Sequence, residues 1–243
     1  MNVYGLIGMP LVQSFSKKYF TEKFEKEGIG NAAYELFPIE HISLFPELLQ
    51  SNPGLLGLNV TIPYKEQVLP FLNELSIEAE KIKAVNCIKI KDGQLKGFNT
   101  DAPAFKKSLL PQLQSHHKKA LILGTGGAAK AVLFVLESLG IEVAFVSRSK
   151  GVGLTYEDLN KDIIDSYPLI INSTPLGSFP KVETAPTIPY ELLTPKNYLY
   201  DLVYNPAKTL FLQKGEERGA SIKNGYEMLV EQAELSWQIW NNS

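Results

Sequence analysis

The chain has 243 residues, 44% of them apolar and 21% charged, which are ordinary proportions for a globular protein long enough to bury one or two cores. A formal net charge of −2 leaves no basic field to draw nucleic acid or an anionic membrane. The one cysteine, Cys87, can close no internal disulfide and cannot build a zinc cluster by itself, so no metal site and a reducing compartment are expected. Residues 1–8 lack the basic start and long apolar stretch of a signal peptide, and no apolar run approaches the roughly 18 residues of a membrane helix. The expectation is a soluble, cytoplasmic protein.

Short β-prone runs alternate with helical patterns and no repeat interrupts them, which argues for an α/β architecture. Residues 3–7 read as a buried strand. Ser14 and Ser16 precede a charged helical stretch over 17–27, and Gly28 serves as its stop. Residues 33–37 and 56–61 read as the next strands, the second ended by Pro63. Residues 86–90 and 95–98 flank Asp92-Gly93, a dipeptide suited to the positive φ of a hairpin turn, so this half is expected to carry a mixed sheet. Residues 110–119 are polar. A strand over 120–123 then leads through a glycine turn into a helix over 128–139, closed by Gly140. Runs at 141–146, 169–171, 199–201 and 221–223, mostly with helical patterns between them, continue as a doubly wound parallel sheet. Over 228–240, Leu229, Ala233, Trp237 and Trp240 recur three or four apart, the mark of an amphipathic helix.

Gly124-Thr125-Gly126-Gly127-Ala128-Ala129 fits G-x-G-x-x-G/A between a strand and a helix, the setting in which backbone N–H groups and a helix N-terminus meet a pyrophosphate. A tight strand-to-helix turn is the competing reading, and the flanking elements favour a dinucleotide. The strand after that helix ends in Ser147-Arg148-Ser149-Lys150. No acid is present there for a ribose 2′-OH, and two cations suit a 2′-phosphate, so NADP is predicted over NAD; a solvated basic loop is the alternative.

In the first half, residues 14–16, 59–65 and 99–101, with Asn86, are unusually polar for β-like surroundings. Such a pocket, with one lysine and one aspartate, suits a small polyhydroxylated carboxylate. Reduction of a ketone needs a positioned proton donor. His41, His116 and His117 lie outside these stretches and read as surface or loop residues, which leaves Lys65 as the natural candidate. The residues also have other uses. Ser14 or Ser16 can simply cap a helix, Asp101 before Ala102-Pro103 can be an N-cap, and Lys65 can be a solvated lysine at a helix start.

The ordered set of these blocks resembles the NADP-dependent shikimate dehydrogenase family. The resemblance rests on Ser14 and Ser16, residues 57–65 (GLNVTIPYK), 84–86 (AVN), 97–101 (GFNTD), 124–130, 172–177 (NSTPLG), 201–206 (DLVYNP) and 224–232 (NGYEMLVEQ), and it runs through nearly the whole chain. It implies an α/β substrate domain with a mixed sheet over 1–100 plus 225–243, and a Rossmann NADP-binding domain over 101–224. It implies that Lys65 and Asp101 form the catalytic pair. Ser14, Ser16 and Tyr204 would hold the carboxylate of shikimate or 3-dehydroshikimate, and Thr61, Asn86, Asp101 and Gln232 its hydroxyls. Gly124, Gly126, Gly127 and Ala128 would meet the pyrophosphate, Ser147, Arg148 and Lys150 the adenosine phosphate, and Thr174, Gly225 and Met228 the nicotinamide. The implied protein is a monomer or homodimer in aromatic amino acid (chorismate) biosynthesis. A broader quinate/shikimate dehydrogenase, with NAD as an alternative cofactor, is the close rival. The chain departs from the family pattern at Gln13 and Lys17, where His and Pro are common, at Ser147 for Asn, and at Cys87 for Thr.

Overall fold

The computed structural model describes residues 1–11, 14–149, 151 and 153–242, and the chain forms two compact units, 1–100 with 233–243, and 101–232. The first unit is built on β1 (Asn2–Gly8), α1 (Phe15–Lys26), β2 (Ala32–Pro38), α2 (Phe45–Ser51), β3 (Leu55–Val60), α3 (Tyr64–Gln67), β4 (Glu74–Leu75), α4 (Ile77–Ile82), β5 (Cys87–Lys91) and β6 (Gln94–Phe98). The second contains α5 (Asp101–Leu109), β7 (Lys119–Leu123), α6 (Gly127–Ser138), β8 (Glu142–Ser147), β9 (Leu154–Thr155), α7 (Lys161–Ser166), β10 (Leu169–Asn172), β11 (Tyr198–Asp201), α8 (Leu210–Glu216) and β12 (Ser221–Lys223). The boundary at residues 232 and 233 falls inside the last helix, α9 (Tyr226–Asn241).

The first sheet has the order β2-β1-β3-β5-β6-β4. β1 pairs in parallel with β2 and β3, whereas β5 is antiparallel to both β3 and β6, so the sheet is mixed. The hairpin between β5 and β6 turns on Asp92 (φ 52°) and Gly93 (φ 75°), the left-handed pair that matches strand twist. α1 begins where Ser14 accepts from Lys17 N at 3.2 Å, and it ends just before Gly28 at φ 68°. An aromatic cluster fills one region of this unit. Tyr4 stacks on Trp240 with ring centroids 4.9 Å apart, and Phe20 and Phe24 close around Trp240 and Trp237. Gly57 is required here, because a Cβ at that position would stand 2.3 Å from the Trp240 indole nitrogen, which donates to the Ile88 carbonyl at 3.0 Å.

The second sheet is wholly parallel with the order β12-β11-β10-β7-β8-β9, the doubly wound Rossmann arrangement. Its strands are near-continuous apolar runs, as burial on both faces requires; Leu121, Ile122, Leu123, Leu169, Ile170 and Ile171 are fully buried. The chain order reverses between β7 and β10. That switch point places the C-terminal ends of these two strands at the mouth of a crevice.

Candidate active site

In the first unit, parallel pairing sets the loops after β1 and β3 side by side. Thr61 N–H donates to Ile7 O at 3.0 Å, and Met9 N–H donates to Ile62 O at 3.1 Å. The same end of the sheet carries the start of β5 and the end of β6, because these strands run antiparallel to one another. Ser14, Ser16, Thr61, Lys65 and Asn86 therefore gather at one sheet end. Ser14, Ser16, Thr61 and Lys65 are half-buried and Asn86 is buried. Lys65 lies in α3, and its carbonyl accepts from Val85 N at 2.8 Å, which ties the short helix to the segment entering β5. Asn86 is held on both sides by Thr100: its Nδ2 donates to Thr100 Oγ1 at 2.9 Å, and its Oδ1 accepts from Thr100 N at 2.7 Å. Ser16 hydrogen-bonds the buried phenol of Tyr34, whose ionisation is pushed far up by burial. Gln13 lies outside the described residues.

In the second unit, Asp101 is the first residue of α5 and is buried. Gly124 follows β7 at φ 99°, a conformation that L side chains rarely adopt, and a Cβ there would stand 2.9 Å from Thr174 Cγ2. The loop after β10 is thus packed against the glycine turn. Ser173 reinforces it, donating to Leu123 O through both its N–H at 3.0 Å and its hydroxyl at 2.7 Å. Beneath this loop Asn172 accepts from the Thr174 hydroxyl at 2.6 Å and donates to Asp201 Oδ1 at 2.9 Å. Asp201 is fully buried and also accepts from Val203 N at 3.0 Å and Thr209 Oγ1 at 2.6 Å. Burial drives its pKa up to about 7, against these three donors that hold it down. The sequence reading missed this network; its trace is the acid ending an otherwise apolar strand.

The glycine turn is open. A Cβ at Gly126 would meet nothing within 4 Å, Thr125 and Gly126 are exposed, and the first turn of α6 has no side-chain cap on its N–H groups. At the end of β8, Arg148 is exposed and near enough to the Tyr156 phenol to oppose the rise in its pKa caused by burial. Ser147 donates to Ser149 O at 2.7 Å and so closes the turn that presents Arg148. Lys150 lies outside the described residues. Gly225 is buried and donates its N–H to Val203 O at 3.1 Å; a Cβ there would stand 2.2 Å from Leu202 O, so only glycine fits. Tyr204 is half-buried, which raises its pKa, and Met228 and Gln232 on α9 are buried, Gln232 Nε2 donating to Leu229 O at 2.9 Å.

The three histidines lie in loops, as expected, but they differ in exposure. His41 and His116 are exposed, but His117 is only 3% exposed. Its Nδ1 accepts from Gln114 N at 2.9 Å, and its Nε2 lies 3.3 Å from Lys196 O, the same carbonyl that His116 Nε2 approaches at 2.9 Å. The imidazole thus sits in a loop but is buried, a clamp between two loops. Burial first, and His116 second, lower its pKa.

Residues 6–88 match the family model of the shikimate dehydrogenase substrate binding domain. The shikimate dehydrogenase (NADP(+)) of Caldanaerobacter subterraneus subsp. tengcongensis is 35% identical over 263 residues, covering 98% of this chain and 91% of that protein. That of Clostridium beijerinckii is 38% identical, with coverage of 99% and 92%. Among solved structures, the Thermus thermophilus shikimate 5-dehydrogenase in complex with NADP(H) and shikimate superposes with a TM-score of 0.87 at 30% identity, over 99% of this chain and 94% of that one. With similarity of this extent running through both units, the chain belongs to the shikimate dehydrogenase family.

Proposed function

We propose that this protein catalyses the reversible NADPH-dependent reduction of 3-dehydroshikimate to shikimate, a step toward chorismate and the aromatic amino acids. The observation that carries the reading is a lysine, Lys65, set among hydroxyl and amide side chains at one sheet end. Ser14, Ser16 and Tyr204 bind the carboxylate, and Thr61, Asn86, Asp101 and Gln232 bind the ring hydroxyls. Gly124, Gly126, Gly127 and Ala128 receive the pyrophosphate, Arg148 with Ser147 and Lys150 the 2′-phosphate, and Thr174, Gly225 and Met228 flank the nicotinamide. The working species is a cytoplasmic monomer or homodimer; among the described residues no helix is long and apolar enough to cross a membrane.

When bound, NADPH supplies the hydride. As negative charge develops on the substrate oxygen, the Lys65 ammonium stabilises it and delivers the proton that completes the alcohol. Asp101 orients the lysine and the neighbouring substrate hydroxyl and balances the charge. An absorbance assay of NADP reduction with shikimate tests the function, run beside quinate and NAD. Strong preference for shikimate with NADP is expected, and comparable turnover of quinate with NAD would instead identify the broader enzyme. Lys65→Ala should lower kcat by about 10²–10⁴-fold with little change in shikimate affinity; near-normal turnover would remove Lys65 from the mechanism.

A further inference from the structure

A chain of buried hydrogen bonds threads the first unit from one substrate-side residue to another. Ser16 bonds the Tyr34 phenol on β2, and Tyr34 donates to Asn59 Oδ1 on β3 at 2.9 Å. Asn59 Nδ2 donates to Ser236 Oγ on α9 at 2.9 Å and to Asn86 O at 3.2 Å. Ser236 Oγ lies 3.4 Å from Thr100 Oγ1, and Thr100 grips the Asn86 side chain twice. Tyr34, Asn59, Asn86, Thr100 and Ser236 are all buried.

Packing alone does not call for this arrangement. Apolar groups of the same shape would stabilise the unit about as well, whereas a polar chain missing one member leaves a buried group unsatisfied and is destabilising. Ser236 sits between Ala233 and Trp240, three residues from one and four from the other, on the apolar stripe of α9, where alanine would serve a purely structural purpose. What the chain does accomplish is to lock a hydroxyl in α1 and an amide before β5 relative to each other, through side chains from four other places in the fold.

We propose that Ser236 and Tyr34 are positioning residues for substrate binding: Ser236 fixes Asn86 through Thr100, Tyr34 fixes Ser16, and Asn59 joins the two. This rests on the reading of Ser16 and Asn86 as shikimate ligands. The chain then sets the spacing between the group that meets the carboxylate and the group that meets a ring hydroxyl, a spacing that suits one small polyhydroxylated acid over longer or shorter ones. Neither Ser236 nor Tyr34 touches substrate.

Steady-state kinetics of the full chain test the proposal. Ser236→Ala and Tyr34→Phe should each raise the KM for shikimate about 5–20-fold, with kcat and the KM for NADP within about twofold of the unsubstituted protein. In an Asn86→Ala background Ser236→Ala should add less than about twofold, and in a Ser16→Ala background Tyr34→Phe should do the same, since each acts through the residue removed. A merely structural serine would give full, additive effects in those backgrounds, or shift both KM values together; either result, or an unchanged shikimate KM, overturns the proposal. Should Ser236→Ala reduce the folded fraction, Tyr34→Phe at the opposite end of the chain carries the same test. Absence of shikimate oxidation by the unsubstituted protein overturns the functional reading itself, and the positioning proposal with it.

Discussion

Arg148 stands exposed just beyond β8, on a turn that Ser147 closes through its own hydroxyl. Its planar fork can meet a phosphate with two parallel hydrogen bonds, and a charge-assisted bond of this kind contributes about 1.5–3 kcal/mol. Arg148→Ala should therefore raise the KM for NADP about 10–100-fold and leave that for NAD nearly unchanged, measured with shikimate saturating. Equal losses for both cofactors would place Arg148 outside the 2′-phosphate site. The departures from the family pattern are mild by the same physical measure. Ser147 retains a hydrogen bond that shapes the turn, and Cys87 is fully buried on β5, where a small thiol replaces a small hydroxyl without exposing a reactive group.

At the scale of elements, the glycine turn and the loop after β10 act as one piece. Gly124 presses on Thr174, and Thr174 is held from below by Asn172, itself held by Asp201 and through it Thr209. Gly124→Ala adds a side chain at φ 99° and a contact of 2.9 Å, so it should destabilise the protein by about 1–3 kcal/mol and weaken NADP binding while shikimate affinity holds; thermal melts with and without NADP measure both. Much of this architecture is legible in the sequence where one local signal dominates. Apolar runs mark β1, β7, β10 and β11, Asp92-Gly93 marks the hairpin, and the Leu229, Ala233, Trp237 and Trp240 spacing marks α9. The two-residue strands β4 and β9 carry no periodicity of their own and exist only through pairing with β6 and β8. Candidate site residues are legible as polar interruptions of β-prone runs, which is how Thr61, Lys65 and Asn86 stand out. What supports them is not: Ser236 is an unremarkable serine until the fold brings α9 onto Asn59 and Thr100, and Tyr34 reads as an ordinary strand aromatic.

For the molecule as a whole, two buried groups set opposing pH dependences. Asp201 keeps its proton in the folded protein up to about pH 7, whereas an unfolded chain releases it near 3.8. Between those values the folded state binds more protons, so this group's contribution is fully present at low pH and is lost as pH rises, by at most about 1.4 kcal/mol per unit. His117 works the other way. Its pKa is lowered by burial, so below about 6.5 the unfolded chain takes up a proton that the folded one refuses, and stability falls as pH falls. Asp201→Asn keeps the shape of the Asn172 and Thr209 contacts and removes the first dependence. The variant should therefore gain on the unsubstituted protein from about pH 4 to pH 7 in thermal melts and level off above that, and a difference that is flat with pH would show that Asp201 is ionised throughout.

The first unit is also discontinuous, and Trp240 completes its aromatic cluster over Gly57. Protein synthesis proceeds from residue 1, so Tyr4, Phe20 and Phe24 leave the ribosome long before Trp237 and Trp240 are made. At about 5–20 residues per second the interval is on the order of ten seconds, in which residues 101–232 are themselves synthesised, the last of them only about a second before Trp237. The opening hundred residues should therefore remain cleavable by protease in chains truncated before residue 233, and resist it once residues 233–243 are present. Closure of the first unit thus waits on the helix that carries Trp237 and Trp240.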